Sequence, residues 1–392
     1  MNPAEVLHLI NLDTIGGVEE LFAHFLDEAV RKSQIKHHLL VTGGKIHPHF
    51  LAKIKKSAAS ITYEKYFLSL KIPKIVRSFL KKLVFKKNYS HIVLWNRFDD
   101  LKKVKKSAQV IYYEHGASWM HAKTDTVPSF FQSVDCILAN SKAAKHLITL
   151  KWKPNVEIAV VENPLRPDLS LSQRARSSFH TPFRLGFIGR LIPLKGCSLL
   201  LQALKILLDK GVKVELYIAG TGQEKENLEV FAKKLKIDQA IQFLGSVQNV
   251  TAFYDSIDLL VMPSIREPLG LVALEASARA CPVVASYVDG LAEAVQDGEN
   301  GVSLTPSLPI ERYADFGGEL CGMPDVVFDP KEKVLKNPEI VDPQDIVRAV
   351  EALMNKPESY VQLSQKAHDF AKKYPNFSDY TAKLLSYFQK SF

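Results

Sequence analysis

FRLGFIGRLIPLKGCSLLLQALKILLDKG, residues 183–211, decides the fold. A near-continuous apolar run ends on Gly189, and Arg190 and Lys195 follow. A leucine-rich helical pattern then runs to Gly211. An apolar strand of this kind fits a parallel sheet buried on both faces, and strand, loop and helix together make half of a βαβ unit. Ligands of open α/β sheets bind beyond the C-terminal ends of the strands, where Arg190 and Lys195 fall. A planar guanidinium and a point-charge ammonium both suit a diphosphate, although solvated cations are common on any surface.

The pattern repeats in both directions. Upstream, strands are expected at 6–11, 37–43, 91–96, 110–116 and 136–141. Downstream, they are expected at 214–220, 242–245, 259–264 and 282–286. Two such series, alternating with helical patterns, predict two Rossmann-like domains. The expected organisation is an N-terminal domain over 1–165, rejoined by a C-terminal helix over 376–392. A Pro-, Ser- and Arg-rich linker over 166–182 leads to a second domain over 183–375. That domain carries an irregular, proline-rich insertion over 305–343.

The 392-residue chain, 46% hydrophobic and 24% charged, is long enough for two ordinary cores. No apolar run approaches the length of a membrane-spanning helix, and the start lacks the basic flank and cleavage site of a secretory signal. Cys136, Cys197, Cys281 and Cys321 are scattered without a CxxC pair, which fits reduced thiols in the cytoplasm and no metal site. The net charge of +9 is uneven. Residues 1–168 hold 26 Lys and Arg against 15 Asp and Glu, and the remainder hold 25 against 27. A polyanionic partner is therefore expected for the first half only.

Three further stretches carry candidate chemistry. In TIGGVEELFAHFL (14–26), Gly16 and Gly17 precede an amphipathic helix, so its first amides could meet an anion; the plainer reading is a turn needing positive φ. It is not a full GxGxxG fingerprint and no Walker-type GKS/T occurs, which disfavours hydride transfer and P-loop hydrolysis. In REPLGLVALEA (266–276), Pro268 and Gly270 allow a loop that holds Glu267 and a helix, starting near Gly270, that carries Glu275 in its second turn. Carboxylates there could accept from sugar or ribose hydroxyls, or Glu275 could lie on a solvated face. In YYEHGAS (112–118), His115 closes a strand, where it is either structural or cleft-facing.

Together, Gly16–Gly17, GRLIPLKG (189–196), YIAGTGQE (217–224), FLGSV (243–247), REPLGLVALEA and DGENG (297–301) resemble the retaining glycosyltransferases of family 4. The likeness is strongest over 183–302. It implies the GT-B architecture, an α/β fold of two facing Rossmann-like domains with a cleft between them. It also implies a donor that is a nucleoside-diphosphate sugar, UDP- or GDP-linked, with no cofactor or metal required. By this resemblance Arg190 and Lys195 hold the diphosphate, Glu275 the ribose and Glu267 the transferred sugar. Gly270 and Leu271 offer backbone amides, and Gly16 and Gly17 approach the diphosphate. Gly220 and Gly222 shape the pocket, Ser246 and Val247 border the base, and His115 lies near the reacting sugar. Asn163 matches the asparagine before the domain crossover. Leu269 departs from the Phe frequent in the family, and the 305–343 insertion departs from its usual length. Cations and amides would stabilise the leaving diphosphate, so the two glutamates would bind rather than act as a glycosidase-like acid/base pair.

Residues 71–87, KIPKIVRSFLKKLVFKK, place apolar residues at 72, 75, 76, 79, 80, 83 and 84 and cations opposite. The expectation is a helix starting at Pro73 with its apolar stripe in the core. Its lysines would then be either a solvated face or, with residues 102–106, a surface turned to an anionic membrane. Nucleic acid is not expected. The functional expectation is hexose transfer to a glycan or lipid-linked acceptor at the inner membrane face, in lipopolysaccharide or other envelope polysaccharide synthesis. The rivals are a nucleotide-sugar 2-epimerase of the same fold and a non-catalytic sugar-nucleotide binder.

Overall fold

The computed structural model describes residues 4–67, 70–99, 101, 107–121 and 126–392. The chain divides into two compact units, residues 1–164 with 375–392, and residues 165–374. Each is built on one parallel sheet.

In the first unit the strands are β1 (Glu5–Ile10), β2 (Lys36–Val41), β3 (Ser60–Tyr63), β4 (His91–Trp95), β5 (Gln109–Glu114), β6 (Cys136–Ala139) and β7 (Glu157–Val160). They lie in the order β3-β2-β1-β4-β5-β6-β7, all parallel. The second unit has β8 (Phe183–Ile188), β9 (Val214–Ala219), β10 (Ile241–Gly245), β11 (Leu259–Met262), β12 (Val283–Ser286) and β13 (Gly301–Leu304). Their order is β10-β9-β8-β11-β12-β13. The strand order reverses between β1 and β4 in one sheet and between β8 and β11 in the other. Such switch points open a crevice at the strands' C-terminal ends, because successive crossover helices cover opposite faces. The expected α/β fold of two Rossmann-like domains is borne out.

Helix α1 (Gly17–Lys32) buries Leu21, Phe22, Phe25 and Leu26 on the first sheet. The C-terminal helix of this unit (Phe377–Tyr387) joins the same core through Phe377, Tyr380 and Leu384. Burying each of these large side chains contributes ~1.5–3 kcal/mol. In the second unit the helix Cys197–Asp209 buries Leu199, Leu200, Leu201, Leu204 and Leu207. The helix Pro343–Met354 packs on it, which explains its leucines on all sides.

Three expectations are corrected. Residues 166–182, expected as a linker between domains, belong to the second unit. Leu169 is buried, and the Arg176 guanidinium donates to the Tyr254 and Ile257 carbonyls of the second unit. The 305–343 insertion is not irregular. It forms the strand pairs Leu308–Pro309 with Glu339–Ile340 and Val327–Asp329 with Val334–Lys336. It also forms a 3-10 helix, Ile310–Phe316, anchored by buried Tyr313, whose hydroxyl donates to the Pro193 carbonyl. Finally, the basic segment forms helix α2 (Lys74–Phe85), but with its stripe reversed. Ile75, Val76, Phe79 and Leu83 are exposed, whereas Ile72 and Val84 are buried. Residues 102–106 lie outside the described residues.

The buried His8–His37 pair of the first unit and Glu224 of the second titrate in opposite senses. His8 and His37 share a buried hydrogen bond of 2.9 Å. Burial, with His38 nearby, lowers His37 to about 4, and burial holds His8 well below 6.5. Both rings are neutral when folded and bind protons when unfolded. Their contribution is therefore full above pH 6.5 and falls as pH drops below it, that of His37 being lost as pH approaches about 4. Glu224 is buried, and burial with Glu319 beside it pushes its carboxyl up to about 7. Its contribution is full below pH 4.5 and is lost as pH rises through 7. Calorimetric melts from pH 7 to 5 are expected to lower the first unit's transition, with a smaller drop in His37→Gln. An unchanged drop in that variant would refute the assignment to His37.

Candidate functional site

In the second unit, the loops leaving β8 and β11 bring the expected residues together at the switch point. Arg190 is exposed just beyond Gly189. Lys195 ends a short 3-10 turn, Pro193–Lys195, and Gly196 follows with φ 65°. A side chain at Gly196 would meet the Pro263 carbonyl at 2.0 Å, so glycine lets the two loops touch. The Ile265 amide donates to the Leu194 carbonyl at 2.9 Å and ties them. As a result the Lys195 ammonium donates to the Glu267 carboxylate, with side-chain exposures of 20% and 12%. The reading that separated these residues, one for diphosphate and one for sugar, did not foresee that they pair directly.

Gly270, at φ 94°, starts the helix Leu271–Ala278. The Ala273 amide donates to the Gly270 carbonyl at 2.9 Å, and a helix start of this kind carries a partial positive charge that suits an anion. Glu275 lies in the second turn, as expected. It is half-buried and accepts from the Tyr254 hydroxyl at 2.8 Å. Burial, then the Glu275 charge, pushes the Tyr254 phenol well up, so it stays a donor that fixes the carboxylate.

The glycine loop after β9 stacks on the loop after β8. A side chain at Gly220 would meet the Gly189 carbonyl at 1.8 Å, and one at Gly222 the Leu191 carbonyl at 2.2 Å. The Gly220 amide donates to Gly245, which puts exposed Ser246 and half-buried Val247 beside the same loop. Asp289 was missed. Its fully buried carboxylate accepts from the Glu267 amide at 3.1 Å and the Phe328 amide at 2.7 Å. It therefore couples the insertion's strand Val327–Asp329 to the Glu267 loop. The signal was an Asp-Gly pair straight after an apolar strand, in a run otherwise too apolar for a solvated Asp.

The remaining candidates lie in the first unit. Gly16 is extended at φ −154°, so the turn needs no positive φ. A side chain at Gly17 would meet nothing within 4 Å, so packing does not demand glycine there. Asp13 accepts from the amides of Gly44 and Lys45 and braces the loop. His115 follows β5, its ring parallel to Trp95 at 5.9 Å. Asn96, with φ 52°, follows β4 and accepts from the amides of His115 and Ala117. The buried Glu114 carboxylate accepts from the Gly116 and Ser118 amides and the Tyr112 hydroxyl. These two clamps were not read from sequence. Asn163 lies 3.4 Å from His115 Nδ1, and burial lowers His115 to about 3. It is thus a neutral hydrogen-bonding ring. Its buried Nε2 has no hydrogen-bond partner among the described residues.

Among the described residues, no three His, Cys, Asp or Glu are grouped to hold a metal ion, and no helix is long and apolar enough to cross a membrane.

Two parallel-sheet units with ligand-type loops at their switch points define the class, the GT-B fold of glycosyltransferases. The Anabaena HepE structure in complex with UDP and glucose aligns over 98% of this chain and 99% of its own, with a TM-score of 0.70 and 15% identity. Residues 171–315 match the family model described as Glycosyl transferases group 1. The chain is 31% identical over 193 residues to an uncharacterized glycosyltransferase of Methanocaldococcus jannaschii, covering 46% of this chain and 49% of that one. It is 32% identical over 178 residues to the lipopolysaccharide core biosynthesis glycosyltransferase LpsE of Rhizobium meliloti, covering 44% and 50%. The chain thus spans half or less of these two relatives' length, and the family model matches only its residues 171–315.

Proposed function

We propose that this protein is a retaining glycosyltransferase. It moves a hexose from a UDP- or GDP-sugar to a glycan or lipid-linked acceptor in lipopolysaccharide or other envelope polysaccharide synthesis, at the cytoplasmic face of the membrane. The observation that carries the reading is the meeting of Lys195, Glu267 and the Gly270-capped helix bearing Glu275 at one switch point. One cation, helix amides and two oriented carboxylates match a diphosphate, a sugar and a ribose. The resemblance to LpsE and to a UDP-bound structure supports the pathway and the donor.

In this mechanism Lys195 turns from Glu267 to the diphosphate when donor arrives, and Arg190 and the amides of Gly270 and Leu271 join it. Together they stabilise the charge that develops on the leaving group. Glu267, released, accepts from sugar hydroxyls, and Glu275 from the ribose. His115, neutral, offers a hydrogen bond to the reacting sugar. The acceptor hydroxyl attacks from the leaving-group face and passes its proton to the departing phosphate oxygen, which retains the anomeric configuration. No cofactor is needed in this scheme. Proton NMR of the first product formed from an α-linked donor should show an α-anomeric signal; a β signal would remove the retaining assignment.

Gly17 separates a binding glycine from a structural one. Gly17→Ala is expected to keep or raise stability, by ~0.5–1 kcal/mol, because alanine favours the helix and nothing obstructs the methyl group. If the diphosphate lies against Gly17, the methyl group displaces it and turnover falls about tenfold or more. Unchanged turnover in steady-state assays would take Gly17 out of the donor site.

A further inference from the structure

Helix α2 is turned inside out relative to its sequence pattern. A helix covering a sheet normally buries its apolar stripe and solvates its cations. Here the Lys81 ammonium points inward and donates to the Asp99 carboxylate, with Glu64 at 3.8 Å. Arg97 pairs with the same two acids, at 2.8 Å and 3.9 Å. This ion network and the buried Val84 and Phe85 pin the helix to the first unit. Ile75, Val76, Phe79 and Leu83 are left outside, with exposures of 85%, 43%, 59% and 46%. By the 3.6-residue period, Lys82 lies on the Ile75–Phe79 side, and exposed Lys86 and Lys87 follow at the C-terminal end.

We propose that α2 is a membrane-inserting helix that lies in the plane of an anionic bilayer. Ile75, Val76, Phe79 and Leu83 enter the acyl boundary, and Lys82, Lys86 and Lys87 meet headgroup phosphates. Charge selects this occupant. The face is apolar with a basic margin, in the half of the chain that carries the whole net positive charge. A second copy would set the same lysines against themselves across a two-fold axis. The inference rests on the proposed lipid-linked acceptor for its purpose and gives that reading a mode of contact. The protein is held by insertion rather than by surface charge alone, which brings the first unit to the acceptor's lipid.

The test uses the full chain and phosphatidylcholine vesicles with and without phosphatidylglycerol. Sedimentation should show binding that needs the anionic lipid and survives in part at high salt, since inserted apolar groups are not screened. The double variant I75E/F79E, changed only at exposed positions, should bind about tenfold more weakly or less even at low salt. In Phe79→Trp, the indole emission should shift to the blue with vesicles and be quenched by brominated acyl chains. Loss of binding in K82E/K86E/K87E, with no effect of I75E/F79E and no quenching, would overturn insertion in favour of headgroup attraction. Absence of vesicle binding, with dimers in light scattering that I75E/F79E abolishes, would overturn it in favour of a second copy. Nucleotide binding measured on the same preparations reports separately on the donor site, so failure of insertion and failure of the transferase reading are distinguishable.

Discussion

Replacing Lys195 with alanine is expected to lower the rate of sugar transfer by about a hundred- to a thousandfold, the usual loss when one preorganised charge-stabilising donor is removed. Lys195 is held by a glycine that allows two loops to touch and by its pairing with Glu267, and in the proposed mechanism it meets the charge that develops on the leaving diphosphate. The pair is partly exposed, so its stability cost should be modest, ~1 kcal/mol or less. The pairing adds a sharper expectation. In Lys195→Ala, Glu267 keeps a charge with no counterion, which disturbs the donor sugar as well as the diphosphate. The double variant K195A/E267Q should therefore lose less than the product of the two single losses, because neighbouring residues that share a partner are not additive. Initial-rate kinetics on the four proteins give this cycle. Wild-type rates in Lys195→Ala would contradict the role of Lys195, and strict additivity would contradict the pairing.

The second large effect is expected at Asp289. Its carboxylate is fully buried and satisfies two backbone amides, Glu267 and Phe328, while its own amide donates to the Phe328 carbonyl. Asp289→Ala orphans both amides at ~1–3 kcal/mol each. It also places alanine at φ 47°, a left-handed conformation that costs it ~1 kcal/mol more than glycine and that Asp and Asn accept more readily. A loss of about 3–5 kcal/mol in the second unit is expected from chemical denaturation. Asp289→Asn keeps one acceptor and the tolerance for positive φ, so it should lose about half as much. Because Asp289 touches the Glu267 backbone and not the proposed donor, it is a positioning residue. The Asn variant should raise KM for donor more than it lowers kcat. Equal stability of Ala and Asn variants would show that the carboxylate's acceptors do not matter.

Ten strands were legible because each sits inside a sheet or keeps an apolar run beside a glycine. In the two parallel sheets the strands that escaped, Ser60–Tyr63, Glu157–Val160 and Gly301–Leu304, lie at the edges. They are mostly half-buried there, so their polar residues blur the apolar run. The loop of Glu267 and the helix of Glu275 were legible because Pro268 and Gly270 punctuate the chain. Partners distant in sequence were not. Nothing near Lys195 signals Glu267 seventy-two residues on, and nothing in an Asp-Gly pair names Phe328 across an insertion. The stripe of α2 shows a different failure. Periodicity reveals that a helix has two faces. Which face turns inward was decided here by Glu64 and Asp99, acids from other segments that draw Lys81 in.

The central claim is that a nucleoside-diphosphate sugar binds at Lys195, Glu267 and Glu275. Titration calorimetry of UDP and GDP into the wild-type protein and Glu275→Ala tests it most directly. One of the two nucleotides is expected to bind with one-to-one stoichiometry, and about tenfold or more weakly once the charged ribose acceptor is gone. Binding of neither nucleotide, or equal affinity in the two proteins, would contradict the donor site described here.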